Sequence, residues 1–185
     1  MFLSALMFVP VILSTVKLSQ TKRWMRVSVL LMLGVLALGV ASVIWPNRTL
    51  LGIKWGLLAV FFCLAVIGLF SYLRNAGSVT SEHLYTAMSI YLLLGMAWFA
   101  VYCAMDVVYP GSFGHPNNTV SDRQSELLYF SLITLSTVGY GDVVPLQSEA
   151  RMLAALEGIT GVLYVAITVA ILVSAYRRQN SSDQA

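Results

Sequence analysis

Long charge-free apolar runs divide the chain. Val27–Trp45 and Trp55–Leu73 each give 19 residues without a charge, and Leu84–Met105 gives 22. Leu153–Tyr176 is interrupted only by Glu157. A helix needs about 20 apolar residues to cross the hydrocarbon core, so each run is expected to be a transmembrane helix. Met1–Val16 is apolar too, but it has 16 residues with Pro10 inside it. At about 1.5 Å per residue it reaches only about 24 Å, and the proline would kink it. A short first span is expected there, with an interfacial or re-entrant segment as the alternative. A cleaved leader fits poorly, because the positive charges follow the apolar run instead of preceding it. Leu127–Leu135 (LLYFSLITL) has only nine residues, too few to span. Ser121 and Gln124 before it have the spacing of a capping box. A short apolar helix that enters the membrane and cannot leave the far side is re-entrant, and the chain must return through non-helical backbone. Such backbone is tolerated at membrane depth only where protein buries it or a watery cavity meets it.

Composition narrows the class. Of 185 residues, 58% are hydrophobic and 10% charged, against roughly 25% charged in a soluble domain. That argues against a soluble enzyme and against disorder. The expected fold is an all-α integral membrane protein, with about five transmembrane helices plus the re-entrant segment. The net charge of +3 sits beside apolar runs, which suits membrane topology better than nucleic-acid binding. Placing Lys17, Lys22, Arg23, Arg26, Arg74, Arg177 and Arg178 inside leaves Arg48, Lys54, Arg123 and Arg151 outside. The positive-inside rule then favours a cytoplasmic C-terminus and an external 106–151 region. The first four of those cations are candidates for anionic-lipid contact. Cys63 and Cys103 lie within apolar runs, where packing suits them better than a disulfide or a metal. His83 and His115 read as solvated. Asn47 and Asn117 begin glycosylation sequons that matter only in a secretory-pathway host.

The returning segment is Thr137-Val138-Gly139-Tyr140-Gly141-Asp142. Its glycines allow positive φ, and alternating permissive and ordinary residues can turn successive carbonyl oxygens to one side. Residues 129–145, YFSLITLSTVGYGDVVP, resemble the pore helix and selectivity filter of the tetrameric potassium channels. The 149–164 stretch also resembles small bacterial ion-channel proteins with extra N-terminal helices. The resemblance implies a homotetramer, with N-terminal transmembrane helices over 1–80 and a pore domain over 84–176. Within the pore domain it implies an outer helix (84–107), a pore helix (122–136), a filter (137–142) and an inner helix (148–178). A short tail would cover 179–185. It implies K+ coordination by Thr137, Val138, Gly139 and Tyr140, continued at the outer mouth by Gly141. Asp142 would lie at the external entrance, with Tyr129 as its aromatic partner. One departure is Ile133, where some members carry a glutamate.

Glu157 is an ionisable group inside a membrane helix, hence a functional hypothesis by default. It is expected to support the filter from behind, bonding filter backbone or Thr134, with a cavity-facing position as the alternative. Gly158 and Gly161 suit either a gating hinge or close helix packing. No regular row of arginines marks a voltage sensor. The expected function is a passive potassium-selective channel in the cell membrane, not an enzyme and without a cofactor. The alternatives are a non-conducting channel-like regulatory or scaffold subunit, or a weakly selective cation channel.

Overall fold

The computed structural model describes residues 22–45, 47–74, 81–114 and 122–182. The Met1–Val16 segment, Lys17 and the 115–121 stretch with His115 and Asn117 lie outside these, as does the last part of the tail. The described chain is helical apart from one short strand pairing with its flanks and the non-helical stretch 136–147. Helix α1 is Lys22–Ile44, α2 is Arg48–Arg74 and α3 is Ser81–Val108. Next come β1 (Phe113–Gly114), α4 (Arg123–Leu135), β2 (Val144–Pro145) and α5 (Ser148–Ser182). The two strands pair antiparallel, Phe113 opposite Pro145 and Gly114 opposite Val144.

Among the described residues, three helices are long and apolar enough to cross a membrane: Arg48–Arg74, Glu82–Val108 and Ser148–Ser174. Helix α1 has 23 residues, and its described apolar stretch, Val29–Ser42, falls short of a full span. Helix α4 has 13 residues, about 20 Å at the helical rise, so it enters and stops. The protein is a multi-pass membrane protein of all-α class.

Packing follows chain order: α1 on α2, α2 on α3, α3 on α4, α4 on α5. The broadest contact is α2 on α3. Leu69 and Leu73 of α2 are fully or almost fully buried, as are Ile90, Leu93 and Ala100 of α3. The Trp55 and Phe99 rings meet edge to face at 5.4 Å. Asn47 starts α2, its Oδ1 accepting from the Thr49 amide at 3.0 Å, which satisfies one of the orphan donors of the first turn.

A second aromatic cluster joins α3 to β1 and α4. Tyr102 of α3 meets Phe113 of β1 and Phe130 of α4, each at 5.2 Å between centroids. Phe113 and Phe130 close the triangle at 5.4 Å. Asp122 takes the N-cap position of α4 without a side-chain cap bond to the helix. The expected Ser121–Gln124 capping box is therefore corrected: Asp122, not Ser121, stands at the cap. Its carboxylate accepts instead from the Ser125 hydroxyl at 2.9 Å. Helix α5 also runs to Ser182, four residues past the expected 178.

Arg123, the first residue of α4, fixes that helix to α3. Its Nε and Nη2 donate to the two oxygens of Asp106 at 3.0 and 2.7 Å. Nη2 also donates to the Phe113 carbonyl at 3.0 Å. The bond to Asp106 is the main reason the guanidinium pKa rises, against the opposing effect of burial. A two-point pair of this kind is stronger than a single contact, although its partial exposure weakens it. Arg123→Ala should lower stability by about 1–2 kcal/mol. Asp106→Asn should cost less than that, and the double variant less than the sum, because the two share one interaction. Thermal unfolding of the purified protein in detergent checks this, and strictly additive losses would contradict it.

Candidate functional site

The site is built where α4 ends. A helix leaves its last four carbonyls without intrahelical partners. Here each of them, from Leu132 to Leu135, is taken. Leu132 O accepts from the Ser136 amide at 3.1 Å and the Ser136 hydroxyl at 2.7 Å. Ile133 O accepts from the amides of Val138 at 2.9 Å and Gly139 at 3.2 Å. Thr134 O accepts from the Thr137 amide at 3.0 Å. Leu135 O accepts from the Tyr91 hydroxyl of α3 at 3.2 Å. The first amides of the returning segment are thus satisfied by the helix that delivers it.

The returning backbone alternates. Thr137, Gly139 and Gly141 have φ of 59°, 53° and 79°, whereas no positive φ occurs at Val138 or Tyr140. Glycine occupies the left-handed region without penalty. Thr137 is β-branched, and a non-glycine residue there costs on the order of 1–3 kcal/mol; the bonds around it hold it in place. An extended run with alternating backbone sign turns neighbouring carbonyls the same way. The whole stretch is open: Val138 is 50% and Tyr140 73% exposed, and a Cβ added at Gly139 or Gly141 would meet nothing within 4 Å. Among the described residues of one chain, none covers this face.

At the outer end, the Tyr129 hydroxyl donates to Asp142 Oδ2 at 2.8 Å. That bond is the main cause of a raised Tyr129 pKa, which keeps the phenol a donor. Asp142 Oδ1 accepts from the Val143 amide at 3.0 Å. The β1–β2 pairing holds the chain beyond, with the Leu146 amide donating to Ser112 O at 2.8 Å.

Behind α4 lies α5. Gly161 meets the end of α4 so closely that an added Cβ would stand 2.0 Å from Leu135 O. At Gly158 the nearest atom would be Thr134 O at 3.9 Å, an ordinary contact. One turn back along both helices, Glu157 is fully buried beside Ser131. Ser131 Oγ lies 2.6 Å from Glu157 Oε1 and 2.7 Å from Gly95 O. The Tyr102 hydroxyl donates to Glu157 Oε2 at 2.5 Å. The expected partner Thr134 is corrected: Glu157 bonds Ser131 and Tyr102. The register explains it, since the approach of Gly161 to Leu135 sets Glu157 against Ser131, four residues earlier on each helix. Glu157 therefore faces α4 and α3. Sequence reasoning singled out neither Ser131 nor Tyr102. The signal was a hydroxyl four residues before the end of an apolar helix, in a chain with a membrane carboxyl to satisfy.

Residues 101–178 match a family model described as an ion channel. Several named potassium channels are similar to part of the chain. The two pore potassium channel b of Oryza sativa subsp. japonica is 41% identical over 75 residues, 40% of this chain and 19% of that one. The potassium voltage-gated channel subfamily KQT member 3 of Homo sapiens is 34% identical over 107 residues, 57% of this chain and 12% of that one. The two pore potassium channel a of rice is 39% identical over 80 residues, 43% of this chain and 20% of that one. The chain thus spans a fifth or less of the length of each of these relatives. No solved structure matches it. The matched stretch takes in α4, the returning segment and most of α5.

The two α5 glycines, Gly158 and Gly161, should separate on substitution. Gly161→Ala should destabilise the protein by about 1–3 kcal/mol, the usual cost of overpacking, because the obstructing atom is backbone. Gly158→Ala should be neutral or slightly stabilising, since alanine is the better helix former. Thermal unfolding of the two variants side by side tests this. Equal tolerance at both positions would show that α5 does not press on Leu135.

Proposed function

We propose that four copies of this chain form a passive, potassium-selective pore in the cell membrane, with the C-terminus cytoplasmic. The alternating backbone at Thr137, Gly139 and Gly141 carries the reading. Four such segments around an axis would stack rings of carbonyl oxygens from Thr137, Val138, Gly139 and Tyr140, with the Thr137 hydroxyl adding an inner ring. Carbonyl rings replace the hydration shell of K+, and several adjacent sites let ions displace one another. Gly141 and Asp142 form the outer mouth, and Tyr129 steadies Asp142.

Two observations support assembly. The filter face is bare in one chain. Only 17% of the apolar window of α5 is buried, against 56% for α3. A ring of four would cover the filter face and give α5 neighbours across the axis.

The pore would lack a voltage sensor of its own. Between Lys54 and Arg74, and across Val27–Trp45, there is no basic residue. A sensor needs several, each worth about 2.3 kcal/mol per 100 mV moved. Nothing in this role calls for catalysis.

Purified protein in liposomes should pass K+ down its gradient and leave Na+ near background, and Gly139→Ala should abolish the flux. Alanine at a left-handed position costs about 1–2 kcal/mol per copy, and it would act in every subunit. Equal K+ and Na+ flux, or flux untouched by the substitution, would contradict the proposal. In planar bilayers the open probability should vary little with voltage; a steep dependence worth several gating charges would refute that part.

A further inference from the structure

The hydrogen-bonded group behind the pore helix contains more contacts than its hydroxyls can supply. Five oxygens lie in a row: Tyr102 OH, Glu157 Oε2 and Oε1, Ser131 Oγ and Gly95 O. Apart from the covalent carboxyl link, three contacts join them, at 2.5, 2.6 and 2.7 Å. Each oxygen pair at such a distance needs a hydrogen between them. A phenol brings one hydrogen, a serine hydroxyl brings one, and a backbone carbonyl brings none. Two hydroxyl hydrogens cannot serve three contacts. With an ionised carboxylate, one contact would bring two bare acceptors together in a buried site, where an unsatisfied polar arrangement is most costly.

We infer that Glu157 is a neutral carboxylic acid and that its own hydrogen completes the row. Tyr102 donates to Oε2, the Oε1 hydroxyl donates to Ser131 Oγ, and Ser131 donates to Gly95 O. Every hydrogen then has one acceptor. The surroundings agree. Glu157, Ser131 and Tyr102 are all fully buried, and no ion pair reaches Glu157 among the described residues. The titratable groups facing it are the Tyr102 and Tyr91 hydroxyls of α3, and Tyr91 is engaged with Leu135 O.

The consequence is a positioning residue of a particular kind. Glu157 of α5 fastens Ser131 of α4 to Gly95 and Tyr102 of α3, so three helices meet at one carboxyl group. It does this without placing a fixed charge behind the filter. The inference holds whether or not the pore conducts.

Infrared spectroscopy of the full-length protein in lipid tests it. The difference spectrum between wild type and Glu157→Gln at neutral pH should show loss of a carboxylic-acid C=O band. Tyr102→Phe should shift that band by removing the donor to Oε2. The amide of Glu157→Gln can accept from Tyr102 and donate to Ser131, so this variant should keep the thermal stability that Glu157→Ala loses. Loss of a carboxylate signature in place of the acid band would overturn the inference. An acid band indifferent to Tyr102→Phe would overturn it too, and that arm remains readable if Glu157→Gln fails to fold.

Discussion

Backbone that is neither helix nor sheet can lie at membrane depth only if its polar groups find partners, and the end of α4 supplies them. Ile133 O alone takes the amides of Val138 and Gly139. The helix therefore does more than deliver the chain to the turn, because its terminal carbonyls are the other half of the turn's hydrogen bonding. The conformation of Thr137 depends on this. A β-branched residue at φ 59° persists only when its neighbours determine it, and the bonds from 136 to 139 do so. Whatever locates the last turn of α4 locates the returning segment.

Three contacts locate that turn, and each comes from a different chemistry. Gly161 offers bare backbone, so that α5 lies against Leu135 without an intervening side chain. Tyr91 offers a hydroxyl to the same carbonyl from α3. Glu157 reaches Ser131 one turn earlier. The Tyr164 hydroxyl, bonded to Ala87 O at 2.6 Å, ties α5 to α3 again further along. Helices α5 and α3 are thus pinned to each other and to α4 at separated points. The long apolar stretches between contribute burial, which is not directional and could not by itself set a register.

The parts of this arrangement legible in the sequence were those written as length or as backbone freedom. Run lengths separate the spans from the short α4, and the glycines at 139 and 141 mark a segment that needs positive φ. The Thr137 conformation was not legible, since threonine normally avoids it. The cap of α4 was misread because Ser121 and Asp122 are both good cap residues, and only geometry chooses between them. The two-residue pairing of β1 and β2 is too short to leave a periodic signal. Ser131 and Tyr102 were missed for a different reason. In an apolar helix a lone hydroxyl usually returns its hydrogen to its own backbone, as Thr86, Ser89 and Thr160 do here. Only the buried carboxyl of Glu157, which needs partners, hints that some hydroxyls reach across to it, and the sequence does not say which.

The same contacts constrain how α5 can move. A hinge at Gly161 is attractive from sequence, because glycine weakens a helix. In the structure the space that such freedom would use is occupied by Leu135, and the helix continues unbroken from Ser148 to Ser182. Bending there toward α4 meets backbone, and bending away gives up the close approach that sets Glu157 against Ser131. Motion at Gly161 therefore cannot be private to α5, and must be accompanied by the end of α4 and the segment it holds. Beyond Gly161, Val162, Leu163, Val165, Ile167, Val169 and Val173 are exposed in the single chain, while the Tyr164 bond to Ala87 O and the Tyr164 ring against Tyr91 tie this stretch to α3. The first half of α5 thus belongs mechanically to the returning segment, through Gly161 at Leu135 and Glu157 at Ser131.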